Sequence, residues 1–272
     1  MKIKNGFAPA DGSNLSYEVC GTGPPVVLIH GFSLDMTMWD NEVHELSSSH
    51  SIVRYDLRGH GRSVAGNTRY SHSGDLRVLF DHLGLKKAVL VGLSLGGSTA
   101  LNFAIAHPER VNALVVIDPS LSGFAWSKDT ADSQQKIVGL ARTHGVDALR
   151  ARWLSLPLFH TAVANPRSAE RLRSIIAGYS GWHWLNPDLG IPTSPPTITR
   201  LREISVPTLI VVGEFDTRDF HEIAATLQSK ISNAQKVVIR GSGHMVNLER
   251  PEEFITVLKK FLSDVEHTVA DE

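Results

Sequence analysis

Six short apolar runs, separated by turn residues and helix-like stretches, constrain the fold of this chain more than any other feature of its sequence. The runs are rich in β-branched residues, as expected of parallel strands that are buried on both faces. Strands that alternate with helices imply right-handed crossovers and a mostly parallel sheet covered by helices on both faces. The predicted strands are Val26–Ile29, Ser51–Tyr55, Ala88–Val91, Ala113–Ile117, Thr208–Val212 and Lys236–Ile239.

The amino-terminal segment and the helix-like stretches complete the predicted fold. Segments around Phe7 and over Asn14–Val19, joined by the turn sequence ADGS, are typical of an antiparallel hairpin at the sheet edge. We therefore expect an α/β fold with a mostly parallel, eight-stranded sheet. The helices predicted between and after the strands are Asp75–Leu83, Ser98–His107, Phe220–Ile231 and Glu252–Leu262.

The alternation of strands and helices stops between about residues 121 and 203, where the sequence predicts no strand. Amphipathic patterns in this stretch instead predict helices over Asp132–Thr143, Asp147–Trp153 and Ser168–Ala177. We expect residues 1–120 and 204–272 to form the α/β core and residues 121–203 to be an inserted helical lid.

The predicted lid contains four of the five tryptophans. Tryptophans in a lid either pack within it or line an apolar pocket beneath it. We expect Trp126, Trp153 and Trp184, together with Met245, to line a substrate pocket.

The charge balance and the single cysteine narrow the classes of partner. The 272 residues carry 27 basic and 28 acidic side chains, so the formal net charge of −1 favours neither nucleic acid nor an anionic membrane. Cys20 cannot form an internal disulfide, and no run approaches the ~18 apolar residues of a membrane span. No secretory signal pattern follows the first residues, so we expect a cytoplasmic protein acting on a small molecule. The sequence gives no indication of its oligomeric state.

The segment Gly92-Leu93-Ser94-Leu95-Gly96 carries the strongest chemical signal. It follows a predicted strand and precedes a predicted helix, which is the setting of a strained turn that exposes a nucleophilic serine. Glycines two residues before and after the serine let the strand and the helix approach closely. A turn serine without a function is the alternative, but the position of Ser94 at the end of a central strand favours a nucleophile.

A serine nucleophile needs a histidine base, and thirteen histidines compete for this role. His244 follows the last predicted strand and precedes the final helix, at the sheet edge where α/β proteins bind ligands. We expect His30 to brace the loop after the first parallel strand, and hydrogen bonds within its own polar turn account for His60. His183 lies in the predicted lid and is the alternative least easily dismissed.

Asp216 and Asp118 are the candidate acids, because each follows a predicted strand at the same sheet edge. We favour Asp216, since the chain order Ser94, Asp216, His244 is the order expected of this architecture. The oxyanion of a tetrahedral intermediate should be bound by the backbone N–H groups of Phe32 and Leu95. This chemistry requires no metal and no organic cofactor.

With these segments identified, the sequence resembles the α/β-hydrolase superfamily over nearly its whole length. Within it, SLDMTMWD and DHLGLKKAVLVGLSLGG are most similar to the branch of 3-oxoadipate enol-lactonases and small carboxylesterases. The resemblance implies hydrolysis of an ester or lactone through an acyl-serine. The chain departs from the common pattern after Asp216, where it reads TRDF and many relatives have proline. The motifs that carry the resemblance are HGF, YDLRGHGRS, GLSLGG, HPERVNALVVIDP, VPTLIVVGEFD and GSGHMVNLERPEEF.

Other activities use the same three residues and stay open at this point. They are perhydrolysis, carbon–carbon bond hydrolysis and a lyase reaction of menaquinone synthesis, and a slowly turning-over ligand receptor is an alternative of another class. A lyase of that type would need arginines directed at an acidic substrate. Four arginines of the predicted lid could serve this role, although a solvated helix face is their simpler interpretation; they are Arg150, Arg152, Arg171 and Arg173.

Overall fold

Eight strands form one sheet in the computed structural model, which describes residues 3–141, 144–187 and 189–270. Their order is β1-β2-β4-β3-β5-β6-β7-β8. β1 and β2 pair antiparallel, as do β2 and β4, and every other neighbouring pair is parallel. The predicted fold is therefore confirmed. The strands are Ile3–Ala10 (β1), Ser13–Cys20 (β2), Pro25–Ile29 (β3), Ser51–Tyr55 (β4), Ala88–Leu93 (β5), Val111–Ile117 (β6), Thr208–Gly213 (β7) and Ala234–Ile239 (β8).

Helices cover both faces of the sheet because its strands are apolar on both sides. In β3, Val26 and Leu28 pack into one apolar cluster with α1 and α11, whereas Val27 and Ile29 pack into a second cluster with α2, α3 and α9. The helices are Asp40–Leu46 (α1), His72–Leu83 (α2), Leu95–Ala106 (α3), Lys128–Ala141 (α4), Gly145–Leu154 (α5), His160–Ala164 (α6), Pro166–Gly178 (α7), Trp182–Leu185 (α8), Arg218–Lys230 (α9), Val246–Glu249 (α10) and Pro251–Ala270 (α11).

The segment between β6 and β7 contains α4 to α8, and no strand of the sheet lies among its described residues. Buried side chains of α5 and α7, such as Leu149 and Leu172, belong to the same apolar cluster as one face of the sheet. The segment is therefore packed onto the core rather than held apart from it.

Several helices begin or end where the sequence patterns did not predict. α2 begins at His72 rather than Asp75, because the Ser71 side chain accepts a hydrogen bond from the Gly74 amide and caps the helix. α11 continues to Ala270, well beyond the predicted end at Leu262. The predicted end of α4 at Thr143 lies outside the described residues. Among residues 3–141, 144–187 and 189–270, no helix is both long and apolar enough to cross a membrane.

Candidate active site

Ser94 sits on a strained turn between β5 and α3. Its backbone has φ 54° and ψ −110°, a left-handed conformation that a non-glycine residue rarely adopts. The Ser94 amide donates to the Ile117 carbonyl at 2.9 Å, and its carbonyl accepts from the Ser98 amide at 3.0 Å. These bonds fix the serine at the carboxyl end of the central strands.

The glycines on either side of this turn are required by close backbone contacts. A Cβ on Gly96 would lie 2.1 Å from the Ile29 carbonyl oxygen, and one on Gly92 would lie 2.3 Å from the Gly96 carbonyl oxygen. No rotamer change could relieve either clash, because the atoms approached belong to the backbone. The spacing of the motif thus follows from how tightly α3 packs against β5 and β3.

His244 and Asp216 form a buried pair. The His244 Nδ1 and the Asp216 Oδ2 are 2.7 Å apart, and the two residues are 2% and 8% exposed. The Thr217 amide donates to the other carboxylate oxygen at 2.6 Å. An Nδ1–H that donates to Asp216 leaves the Nε2 of a neutral His244 free to accept a proton.

Asp118, the alternative acid, lies directly behind this pair at the end of β6. It is fully buried, has φ 41°, and accepts long hydrogen bonds of 3.3 Å from the Gly213 amide. Burial, and then the nearby Asp216 carboxylate, raise the pKa of Asp118 well above its usual range. Asp216, rather than Asp118, accepts the hydrogen bond from His244.

The loop that carries His244 is held by a residue that the sequence did not reveal. The Glu249 carboxylate accepts from the Gly243 amide at 3.0 Å and from the Met245 amide at 3.1 Å, the two peptide groups that flank His244. Glu249 is itself only 5% exposed. The ring of Phe220 packs 4.4 Å from the imidazole of His244. His244 is thus held through its ring and through its backbone.

The loop after β3 holds the proposed oxyanion donor Phe32. His30, fully buried below the loop, bonds to the Gly31 carbonyl through Nδ1 at 2.7 Å and accepts from the Leu57 amide through Nε2 at 2.9 Å. Burial lowers the pKa of His30 to about 4, so the ring is neutral and braces the loop. Leu95 is the first residue of α3, where amides have no acceptor within the helix.

Ser94 and His244 line one cavity of about 340 Å³, to which the sequence-predicted residues Phe32, Leu95 and Met245 also contribute. The walls are mostly apolar, and no Lys, Arg, Asp or Glu is among the described residues that form them. Trp126, Trp153 and Trp184 line the cavity as well. The sequence did not single out four further wall residues, which are Ile137, Leu158, Phe159 and Phe220.

The two competing histidines lie outside that cavity wall. His183 bonds to the Tyr70 hydroxyl at 3.1 Å and to the Tyr179 hydroxyl at 2.8 Å, which occupies both ring nitrogens. The Nδ1 of His60 bonds to the Arg58 carbonyl, but its ring also stacks on Tyr179 at 5.0 Å. The prediction that its own turn accounts for His60 is therefore incomplete, because an aromatic contact to the segment between β6 and β7 adds to it.

Two of the four arginines expected on a solvated face are engaged with the protein. Arg150 donates to the Tyr179 carbonyl, and Arg171 donates to the Thr37 carbonyl and to the carboxylate of Asp40. For these two, the interpretation as a solvated face is incomplete, since both also hold segments together while the Arg171 side chain stays 38% exposed.

The departure TRDF after Asp216 has a structural role. Asp219 at the start of α9 accepts hydrogen bonds from the hydroxyls of Ser127 at 2.8 Å and Thr130 at 2.5 Å. It thereby ties the beginning of α4 to the core, while Phe220 after it reaches His244. The departure places both a tether and a cavity wall next to the site.

The sheet order, the serine turn and the buried histidine–aspartate pair define the α/β-hydrolase class. The family model of the alpha/beta hydrolase fold matches residues 24–251, so the chain belongs to this family. The resemblance predicted from the motifs is confirmed.

Relatives with named activities are similar over nearly the full length. A Bacillus subtilis protein named "putative 2-succinyl-6-hydroxy-2,4-cyclohexadiene-1-carboxylate synthase" is 30% identical over 92% of this chain and 95% of its own. The 3-oxoadipate enol-lactonase 1 of Acinetobacter baylyi is 29% identical over 94% and 95%. The structure of a thermophilic esterase from Thermogutta terrifontis superposes with a TM-score of 0.83 at 29% identity, covering 97% of this chain and 99% of the esterase.

Proposed function

We propose that this protein hydrolyses uncharged carboxylic esters or lactones with a small, largely apolar acyl group, through an acyl-serine at Ser94. The observation that carries the proposal is one apolar cavity lined by both Ser94 and His244, with His244 paired to Asp216 behind it. The similarity to an enol-lactonase and to an esterase supports the same reaction class.

In the first half of the proposed reaction, the Ser94 hydroxyl attacks the carbonyl carbon while the Nε2 of His244 takes its proton. The carbonyl oxygen becomes an oxyanion, which accepts hydrogen bonds from the backbone N–H groups of Phe32 and Leu95. The intermediate then expels the alcohol, which receives the proton held by His244. Asp216 stabilises the imidazolium that exists between these two transfers.

In the second half, a water molecule attacks the acyl-serine. His244 takes the proton of the water, the same two amides bind the new oxyanion, and the intermediate expels Ser94, which regains its proton from the imidazolium. The products are the carboxylic acid and the free enzyme. The substrate, water and the three side chains account for every bond that forms or breaks and for every proton that is transferred in this cycle.

The cavity walls support a neutral substrate. Burying a carboxylate in an apolar cavity with no cationic partner is strongly unfavourable, and the described wall residues offer none. We propose that residues 121–203 act as a lid over this cavity, because Trp126, Trp153 and Trp184 from that segment complete its walls.

A lyase reaction like that named for the Bacillus subtilis relative is the second candidate, because that relative is 30% identical to this chain. The name of that relative describes a carboxylate-containing molecule. The cavity wall contains no arginine among its described residues, and two of the four arginines considered for this role are engaged elsewhere, since Arg150 binds Tyr179 and Arg171 binds Asp40. The cavity therefore favours ester hydrolysis.

The test compares wild type with Ser94→Ala on p-nitrophenyl esters of graded acyl length, on lactones, and on an ester with peroxide present. We expect multiple turnovers by wild type and a loss of at least ~10³-fold in Ser94→Ala. Ser98→Ala, one turn further along α3, is the matched control and should retain activity. Equal turnover by wild type and Ser94→Ala would refute the mechanism, and a single slow burst would favour the receptor alternative.

A further inference from the structure

Asp118 is a second buried carboxyl group against the His244–Asp216 pair, and the proposed mechanism gives it no role. One oxygen of Asp118, one oxygen of Asp216 and one ring nitrogen of His244 all lie within 4.8 Å of one another. Asp118 is 0% exposed, and its left-handed backbone (φ 41°) directs this buried side chain from the end of β6. An acidic residue held in a strained, dry position next to another carboxyl group calls for a physical explanation.

Two ionised carboxylates cannot share such a site without a large cost, because their repulsion is not screened by water. The negative charge is better stabilised on Asp216 than on Asp118. Asp216 accepts from the Thr217 amide at 2.6 Å and from His244 at 2.7 Å, whereas Asp118 accepts from the Gly213 amide at the longer distance of 3.3 Å. The Glu249 carboxylate adds further negative potential at Asp118. The proton therefore belongs on Asp118.

A metal ion is a poorer explanation of the three side chains. The Nδ1 of His244 and the Oδ2 of Asp216 are 2.7 Å apart, which is the distance of a direct hydrogen bond between them. Both atoms are thereby committed to each other rather than spread around a shared cation.

We propose that Asp118 is a positioning residue: it keeps its proton and donates it in a hydrogen bond to Asp216, which fixes Asp216 against His244 during ester hydrolysis. The inference rests on the proposed function of Ser94 and His244. A neutral donor restrains the Asp216 carboxylate without adding a second negative charge. The charge that faces the imidazolium is then that of Asp216 alone.

The Asp118→Asn variant tests the protonation state directly. Asparagine has nearly the same shape and also donates a hydrogen bond, so the midpoint of the acid limb of kcat/KM against pH should stay within about 0.3 pH units of wild type. If Asp118 were ionised, the variant would remove a charge within 4.8 Å of the imidazole and lower this midpoint by at least about 1 pH unit. That result would overturn the proposal.

The Asp118→Leu variant separates donation from packing. Leucine fills a similar volume but donates nothing, so we expect kcat to fall about tenfold, KM to stay unchanged and the acid-limb midpoint to rise, because Asp216 becomes more basic. Rescue by asparagine but not by leucine is the expected pattern. Activity and pH dependence equal to wild type in Asp118→Leu would show that only packing matters and would overturn the proposal.

An infrared measurement does not depend on activity. Wild type minus Asp118→Asn in D2O at pH 7 should contain the carbonyl band of a protonated carboxylic acid, and its absence would overturn the proposal. The difference spectrum is needed because another buried acid can contribute such a band: burial raises the pKa of Glu42 to about 8. If wild type hydrolysed no ester but the band were present, the proposed function would fail while the protonated Asp118 stood.

Discussion

Replacing Glu249 by glutamine removes one of two hydrogen bonds that hold the loop of His244. The carboxylate accepts from the amides of Gly243 and Met245, which lie on either side of His244. A glutamine side chain keeps one acceptor oxygen, but its NH₂ group then faces the second amide, so two donors meet in a site that is 5% exposed.

The expected destabilisation follows from these contacts. A buried hydrogen bond to a charged group contributes about 1.5–3 kcal/mol, and leaving a buried N–H without an acceptor costs about the same. We expect Glu249→Gln to lower the free energy of unfolding by about 2–3 kcal/mol, which in a protein of this size lowers Tm by about 4–10 °C. Because the loop carries His244, kcat should fall about tenfold as the imidazole loses its fixed position.

Thermal and urea denaturation measure the stability, and hydrolysis of a p-nitrophenyl ester at saturating substrate measures kcat. Glu253→Gln is the matched control, since Glu253 is exposed on α11 and its replacement should change stability by less than about 0.5 kcal/mol. A Tm for Glu249→Gln within 1 °C of the control, with an unchanged kcat, would refute the reasoning.

Two further predictions concern a half-buried histidine and the cavity wall. Burial lowers the pKa of His72 to about 3, below the ordinary value of 6.5. Between these two values unfolding takes up a proton, so the free energy of unfolding decreases as the pH is lowered. Lowering the pH from 6.5 to 5 should therefore decrease the free energy of unfolding of His72→Phe by about 2 kcal/mol less than that of wild type. Urea titration at the two pH values measures both decreases, and equal decreases would contradict this prediction. Removing the indole in Trp153→Ala enlarges the cavity, so kcat/KM for an octanoyl ester relative to an acetyl ester should rise about tenfold. Trp182→Ala, outside the described cavity wall, should leave this ratio unchanged, and an equal effect of the two would contradict the assignment of the cavity.

The sheet and the serine turn could be predicted because local sequence determines them. Buried parallel strands must be apolar on both faces, and the close approach of α3 to β3 admits only glycine at position 96. The interpretation of His30 as a brace also followed from its place at the end of a strand. The hairpin formed by β1 and β2 was predicted from the turn that joins its strands.

The supporting contacts could not be predicted, because they join residues whose relative positions depend on the whole fold. Nothing local distinguishes Glu249 from the neighbouring acids of the segment NLERPEEF. Likewise, the sequence allowed either Asp118 or Asp216 to reach the histidine. Only the register of β6 and β7 brings the two carboxyl groups together beside it. Asp219 and Phe220 lie in the TRDF segment, which departs from the common pattern of relatives, but this departure gave no indication of what the two residues contact.

The central claim is that Ser94 becomes acylated with the help of His244. A fluorophosphonate ester followed by mass spectrometry of the digested protein tests it most directly, because this reagent reacts with a serine whose hydroxyl is activated by a base. The account predicts a single adduct on the peptide containing Ser94, its absence in Ser94→Ala, and labelling at least about a hundredfold slower in His244→Ala. An adduct at another residue, or labelling of Ser94 at the same rate without His244, would contradict the account.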